Sequence, residues 1–268
     1  MGSKPGRLVF PRRPGFDSKP NLGKLADLRL SVAPKNKIVV SKDGPYVVSA
    51  GIHLDMGIIE PNEEGLSWDF KKAKTYATKG DYKLCRCGKS KTKPFCDDSH
   101  ERVHFDGKET ATRRPYLRQA EFFDGKTMVL GDAENLCAFA RFCDPGGKIW
   151  GLMDQTDDPE AKRLVIREEN RCLSGRLVLW DKKTRNRFEP KLKPAISVVE
   201  DPAIGCSGPL YVQGGIIVES QDGTPYEVRN RVALCRCGAS ANKPFCNGSH
   251  ASIKFRDGLV EFVRIKGK

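Results

Sequence analysis

The sequence lacks any apolar stretch long enough to cross a membrane, because no run approaches the roughly 18 residues that a spanning helix needs. Its beginning also lacks the apolar core of a secretory signal and the pattern for myristoylation. We therefore expect a cytoplasmic protein that works in a reducing compartment and makes no contact with a membrane.

Signatures of catalysis are missing as well. The sequence contains no nucleotide-binding fingerprint, no flavin signature and no recognisable catalytic triad. We therefore expect that the protein is not an enzyme with a substrate reaction of its own.

Apolar residues are scarce for the length of the chain. They make up 38% of 268 residues, and the mean hydropathy is −0.50. A chain of this size forms one large domain or two to three small ones. Small domains with little core often depend on bound metal for part of their stability, which draws attention to the metal-binding residue types.

Positive charge is in excess, with a net charge of +13. Nearly half of it, +6, falls in residues 1–36, a segment rich in proline and glycine that we predict to be a basic tail. A net positive charge suggests binding to nucleic acid, but charge that is concentrated in one tail is a weak argument for such binding. We expect nucleic acid not to be the partner.

Ten cysteines are present, and six of them belong to a motif that occurs twice. Residues 85–100 read CRCGKSKTKPFCDDSH and residues 235–250 read CRCGASANKPFCNGSH, so both have the spacing C-x-C-x8-C-x3-H. Three thiolates and one imidazole form a four-donor metal set, which we favour over disulfides in a reducing compartment. The predicted ligands are Cys85, Cys87, Cys96 and His100 in the first copy, and Cys235, Cys237, Cys246 and His250 in the second.

The repeat extends beyond the ligands. We predict a strand at residues 37–40 and a second apolar run at 46–54. A similar sequence occurs at residues 208–218. The first copy is 14 residues longer between this run and the motif, and we place the insertion within 59–79. The chain therefore contains a duplicated module of strands and a metal loop.

The spacing within the motif favours two metal ions over one. A one-residue gap puts Cys85 and Cys87 on the same side of an extended chain, where both sulfurs reach one iron. Cys96 and His100 are four residues apart and share one face of a helical turn, where they take a second iron. Ser90 and the amides around Gly88 are predicted to donate hydrogen bonds to sulfur. A histidine ligand also predicts loss of metal in acid.

Zinc remains the alternative metal, because Cys3His is an accepted structural zinc set, although zinc sites usually space their first pair C-x2–4-C. If the metal is zinc, we expect a zinc-binding protein that associates with nucleic acid. The basic residues of the loops are open to two interpretations. They are either charges that are simply solvated, or a docking surface for an acidic redox or apo-acceptor protein. They are Arg86, Lys89, Lys91, Lys93, Arg236 and Lys243.

Both stretches resemble the CDGSH iron–sulfur domain of mitoNEET-like proteins, whose motif is C-x-C-x2-(S/T)-x3-P-x-C-D-G-x-H. The resemblance implies one [2Fe–2S] cluster per motif, held by the three Cys and the His. It also implies two modules paired about a pseudo-twofold axis, acting in electron transfer or in labile cluster transfer and iron-redox homeostasis. Two positions depart from the family pattern: Asp98 stands in place of Gly, and Asn247 in place of Asp.

The segment between the copies has a different character. We predict a helix over 132–143 capped by Asp132, a second helix over 157–171, and a strand at 176–180. Its cysteines resemble those of the divergent single-cluster ferredoxin domain, which implies either a third iron–sulfur cluster or a remnant without one. They are Cys137, Cys143 and Cys172, with Cys206 as a possible fourth ligand.

Together these features predict an α+β, β-rich chain in which two small modules surround an α+β ferredoxin-like insert. The predicted boundaries are a tail at 1–36, a first CDGSH module at 37–110, the insert at 111–195 and a second CDGSH module at 196–268. The oligomeric state is left open, with pairing of the two modules expected inside one chain.

Overall fold

The computed structural model describes residues 36–261, so the predicted tail lies outside it apart from its last residue. The strands in chain order are β1 (Lys37–Val40), β2 (Tyr46–Val48), β3 (His53–Pro61), β4 (Ser67–Thr75), β5 (Tyr82–Leu84), β6 (Glu121–Asp124), β7 (Met128–Asp132), β8 (Leu177–Asp181), β9 (Arg187–Phe188), β10 (Ala195–Asp201), β11 (Cys206–Gln213), β12 (Ile217–Glu219) and β13 (Arg231–Leu234). The α-helices are α1 (Ser99–Arg102), α2 (Tyr116–Gln119), α3 (Ile149–Leu152), α4 (Pro159–Arg171) and α5 (Ser249–Ser252). The predicted α+β, β-rich class is confirmed.

Each module contributes to the sheet of the other, with β3 and β4 of the first module in the second sheet and β12 of the second module in the first sheet. The first sheet has the order β12-β1-β2-β5, and the second has the order β13-β11-β10-β3-β4. Strand β12 of the second module pairs in parallel with β1, and β3 of the first module pairs in parallel with β10. Both of these sheets therefore contain strands from both modules, whereas pairing about a pseudo-twofold axis stays a prediction.

The apolar run predicted as one strand at 46–54 is two strands in different sheets. The chain turns between them at residues 49–52, where Gly51 has a φ of +84° that favours glycine. The predicted insertion is a real element: β3 runs on to Pro61 and pairs with β4, which is the outer strand of the second sheet.

One hydrophobic core lies between the first two sheets. Alternation of β-branched residues points one face of each strand inward, so that Ile38 and Val40 of β1 are buried. The same cluster includes Ile196 and Val198 of β10 and Leu234 of β13. Because both modules supply its side chains, each module completes the core of the other.

The segment between the modules forms a third, antiparallel sheet in the order β6-β7-β8-β9, with α3 and α4 packed beside it. The predicted second helix is confirmed as α4, and the side chain of Asp158 caps it by accepting from the amide of Ala161 at 2.8 Å. The predicted strand at 176–180 is β8. A ferredoxin-like identity for this segment stays a prediction. No helix among residues 36–261 is both long and apolar enough to cross a membrane.

The helix predicted over 132–143 is wrong. Asp132 ends β7 and its carboxylate is bound by Arg176 and by the indole of Trp150, so it does not cap a helix. Only a short 3₁₀ turn, Glu134–Leu136, follows. Phe139 and Arg141 then have φ values of 56° and 61°, which no right-handed helix contains. Tertiary contacts override the local helical preference here.

Candidate metal centres

The first two cysteines of each motif follow the last strand of their module, β5 or β13. Their sulfurs lie 3.8 Å apart in Cys85 and Cys87, and 3.7 Å apart in Cys235 and Cys237. Two sulfurs bound to one tetrahedral metal ion at about 2.3 Å lie about 3.8 Å apart. Each pair is therefore spaced to hold a single ion.

The third cysteine and the histidine form a second pair. Sγ of Cys96 lies 3.4 Å from Nδ1 of His100, and Sγ of Cys246 lies 3.3 Å from Nδ1 of His250. These spacings fit a sulfur and a nitrogen bound to one tetrahedral ion, since bonds of about 2.3 and 2.1 Å place the two atoms about 3.6 Å apart. The prediction that Cys96 and His100 share one face of a helical turn is wrong, because the helix begins at Ser99 and Cys96 precedes it.

The two pairs of a motif do not converge on one point. Among residues 36–261, one group of three or more possible donors has all its atoms within 4.8 Å of one another, namely Cys96, Asp98 and His100. Neither cysteine pair joins a Cys–His pair in such a group. A single tetrahedral ion needs all four donors within about 4 Å of one another. The geometry therefore suits two neighbouring ions better than one.

Backbone amides surround the sulfurs, as predicted. The amide of Lys89 lies 3.4 Å from Sγ of Cys87. Contact with the Cys87 thiol, followed by the amides of Ser90 and Gly88, lowers the pKa of Cys85 to about 6. Ser90 donates to sulfur through its backbone amide, whereas its hydroxyl donates to the carbonyl oxygen of Phe95 at 2.7 Å and closes the loop.

Arg86 and Arg236 are buried, so neither is a solvated or docking charge. Arg86 donates to the carbonyl oxygens of Gly44, Gly107 and Ser41 at 2.8 to 2.9 Å. These arginines tie the metal loop to the strands and turns around it.

Arg236 differs from Arg86 in having acidic partners. It binds Glu200 at 2.7 Å and also contacts Asp257. Burial raises the pKa of Glu200 to about 7, whereas the guanidinium of Arg236 opposes burial and lowers the pKa of Asp257. The second metal loop is therefore held by a buried ionic network that the first loop lacks.

The two departures from the family motif have separate structural consequences. Asn247 keeps the hydrogen bond of the loop that precedes its helix, because its Oδ1 accepts from the amide of Ser249 at 3.2 Å, as Asp97 does from Ser99 at 3.0 Å. Asp98 has a φ of 60°, the left-handed conformation that Gly248 adopts in the other copy with a φ of 82°. Asp tolerates this conformation better than most residues.

The two metal loops touch each other, which the sequence did not indicate. A β-carbon added to Gly88 would lie 2.6 Å from the carbonyl oxygen of Cys237, and one added to Gly238 would lie 2.6 Å from that of Cys87. The hydroxyl of Tyr46 in the first module also donates to the carbonyl oxygen of Cys235 at 2.7 Å. The predicted sites of the two modules are therefore neighbours.

The cysteines of the middle segment are near one another without forming a tight set. Cys172 and Cys137 both help to raise the pKa of Cys143, although burial is the main cause. No group within 4.8 Å contains these three among the residues described. Cys206 is buried in β11, and its pKa is raised to about 12 chiefly by burial and then by Asp201. A third cluster stays a prediction.

Comparison with known families matches two stretches of the chain, residues 43–101 and 207–251, to the iron-binding zinc finger of CDGSH type. The chain therefore contains two regions that belong to the CDGSH family. The matched stretches lie inside the predicted first and second modules and contain both metal loops. No curated protein and no solved structure matches the chain. The family is described as iron-binding, which supports iron–sulfur binding by this protein.

Proposed function

We propose that this CDGSH protein binds two [2Fe–2S] clusters, one in each Cys3His set, and passes electrons or a cluster to an acceptor protein without catalysing a reaction of its own. The observation that carries the proposal is the division of each motif into two donor pairs. Cys85 and Cys87 would hold one iron of the first cluster, and Cys96 and Nδ1 of His100 the other. A bound [2Fe–2S] cluster supplies one-electron redox chemistry.

The same division argues against the zinc alternative. Mononuclear zinc needs its four donors around one point, and the donors of each motif do not meet this condition. The match to an iron-binding family also supports iron. No feature of the described residues specifically favours nucleic acid.

The contact between the metal loops supports a redox role. Gly88 lies against Cys237 and Gly238 against Cys87, so only backbone separates the two C-x-C loops. Electron exchange between the two sites of one chain would pass through this contact. Two coupled one-electron sites would allow the protein to take up two electrons in sequence.

We further propose that an acidic acceptor docks at the first site. Lys83, Lys89 and Lys91 are exposed there, and the carbonyl oxygen of Lys83 accepts from the amide of Cys96 at 3.0 Å. The second copy has alanine at all three equivalent positions, which are Ala233, Ala239 and Ala241. Charge of one sign around one site attracts a partner of the opposite sign and speeds its encounter.

The test is the metal and sulfide content of the purified full-length protein, together with its visible absorption and the EPR spectrum after reduction. We expect four irons and four sulfides per chain, from two [2Fe–2S] clusters. Colourless protein loaded with zinc would overturn the proposal. Seven or eight irons would indicate a third cluster at the middle cysteines.

A further inference from the structure

The two metal sites differ in how far they are covered. In the first site Cys96 and His100 are partly exposed and Asp98 is exposed. In the second site Cys246 is 2% exposed and His250 is 3% exposed. The motifs are nearly identical, so the difference comes from what packs on them.

The covering residues come from the middle segment. A β-carbon added to Gly248 would lie 3.0 Å from Cβ of Phe139 and 3.7 Å from the carbonyl oxygen of Cys137. Ala138 packs in one cluster with Ala233 and Cys246. We call residues 137–142 the cover, because they lie directly over the Cys–His pair of the second site.

Two differences between the copies match the presence of the cover. Ala233, which contacts it, replaces the exposed Lys83 of the first copy. Gly248 replaces Asp98, and the space that an Asp side chain would need is filled by Phe139. The second copy therefore has small residues where the cover packs, and the first copy has large charged ones.

The cover is anchored at both ends. Leu136 is buried in the main core, and Phe142 packs with Val199 of β10 in a separate cluster. Between them, the guanidinium of Arg141 binds both carboxylate oxygens of Asp201 at 2.7 and 2.8 Å, and both side chains are largely buried. Phe139 and Arg141 keep positive φ values, a conformation that persists only when neighbouring contacts enforce it.

We propose that the cover makes the two sites unequal, so that metal leaves the first site readily and is retained in the second. This inference rests on the proposed function, in that it assumes both motifs hold metal. An acceptor or chelator reaches Cys96 and His100 from solvent. To reach Cys246 and His250 it must wait until the cover opens, which breaks the Arg141–Asp201 pair. The first site is then the exchange site, and the second is a retained redox site.

The experiment follows metal loss at each site separately. Purified, metal-loaded protein is mixed with excess EDTA at neutral pH and pulsed with iodoacetamide, and mass spectrometry then measures alkylation of the peptides containing Cys96 and Cys246. Bound thiolates are not alkylated, so the labelling rate of each peptide, divided by its rate in protein stripped of metal beforehand, reports loss of metal from that site. We expect the first site to label about tenfold faster or more, because the second must open locally first.

Two variants act on the cover from opposite sides. Arg141→Gln removes the anchor, and Gly248→Asn places a neutral side chain where Phe139 packs, while Asn tolerates the positive φ. We expect either variant to bring labelling of Cys246 close to the rate of Cys96. Arg163→Gln, which breaks the exposed Arg163–Glu160 pair elsewhere in the middle segment, should leave both rates unchanged.

The outcomes separate this inference from the proposed function. Equal rates in the unmodified protein, faster labelling at Cys246, or no effect of both cover variants in protein with native circular dichroism would overturn the inference. Zinc in place of iron and sulfide would overturn the proposed function, yet the order of labelling would still test the cover.

Discussion

The carbonyl oxygen of Cys237 lies so close to Gly88 that a β-carbon on Gly88 would approach it to 2.6 Å. Real β-carbons essentially never come this near another atom. Gly88 also has a φ of 74°, which disfavours other residues. Because the opposing atoms belong to the backbone, no side chain can move aside, and the two metal loops meet only if this residue is glycine.

Substitution Gly88→Ala should therefore separate the metal loops. We expect a loss of about 2–4 kcal/mol in the free energy of unfolding, measured by chemical denaturation, from steric overlap added to backbone strain. Gly51→Ala is the matched control, because Gly51 has a φ of 84° and no atom near its added β-carbon. The control should lose only about 1 kcal/mol. Equal losses in the two variants would show that the loop contact contributes nothing.

The parts of the fold that follow from local sequence were predicted well. Alternating β-branched residues gave β1 with its observed bounds, and the Asp158-Pro159 start gave α4. The spacing of the motif also placed its donors in two close pairs. These features depend on residues near one another in the chain, and their periodicity and capping chemistry are visible there.

Features set by distant contacts could not be read from the sequence. Nothing local indicates that β3 and β12 pair with the opposite module, or that Arg86 is buried under carbonyl oxygens. The failed helix at 132–143 has the same origin, because Arg176 and Trp150 take the Asp132 carboxylate from far along the chain. The sequence did contain one indication that the two sites have different surroundings. Lys83, Lys89 and Lys91 of the first copy are replaced by alanine in the second.

Histidine ligation predicts loss of the clusters in acid, since a proton competes with iron for Nδ1. The variants His100→Cys and His250→Cys replace that nitrogen by a sulfur. We expect acid-driven bleaching of the mutated site to shift by about one pH unit or more towards acid. Visible absorption during pH titration measures the shift, and the unmutated site serves as internal control. If bleaching of the mutated site does not move, the imidazoles are not the acid-labile ligands.

The proposed docking face predicts a kinetic effect of its lysines. The triple variant Lys83→Ala, Lys89→Ala and Lys91→Ala gives the first site the alanines of the second. We expect association with an acidic apo-ferredoxin, used as probe, to slow about tenfold at low salt and to lose its salt dependence. Stopped-flow absorption measures the rate.

A control with the same change of net charge tests whether location matters. Three exposed lysines of the middle segment, Lys126, Lys183 and Lys191, are replaced by alanine for this purpose. This control should leave the association rate nearly unchanged. A similar slowing in both triple variants would mean that only total charge counts and that no docking face exists at the first site.

The buried network of Arg236 predicts a large loss on substitution. Arg236→Gln would leave the carboxylates of Glu200 and Asp257 without their cation, and removing one partner of a buried ion pair costs about 3–5 kcal/mol. Arg163→Gln, at an exposed pair that solvent screens, should leave the stability nearly unchanged. Denaturation midpoints compare the two. A loss at Arg236 no larger than at Arg163 would contradict a stabilising role for the network.

Because Glu168 is buried, we expect its contribution to the free energy of unfolding to fall as the pH rises. Its side chain is fully buried in α4, and its carboxylate oxygens have no hydrogen-bond partner among the residues described. Burial, followed by the charge of Asp144, raises its pKa from 4.5 to about 8. The folded protein therefore holds this proton more tightly than the unfolded chain, so the contribution of Glu168 to stability is full below about pH 4.5 and is lost as the pH rises to about 8.

Glu168→Gln keeps the shape of the protonated side chain and removes its titration. The variant should therefore be stabilised relative to the unmodified protein, by an amount that grows by about 2 kcal/mol between pH 6 and pH 8.5. Denaturation at several pH values measures the difference. Glu160→Gln, exposed on the same helix and with a pKa lowered by Arg163, should show a difference independent of pH over this range. The same flat profile for Glu168→Gln would mean that Glu168 is already ionised in the folded protein.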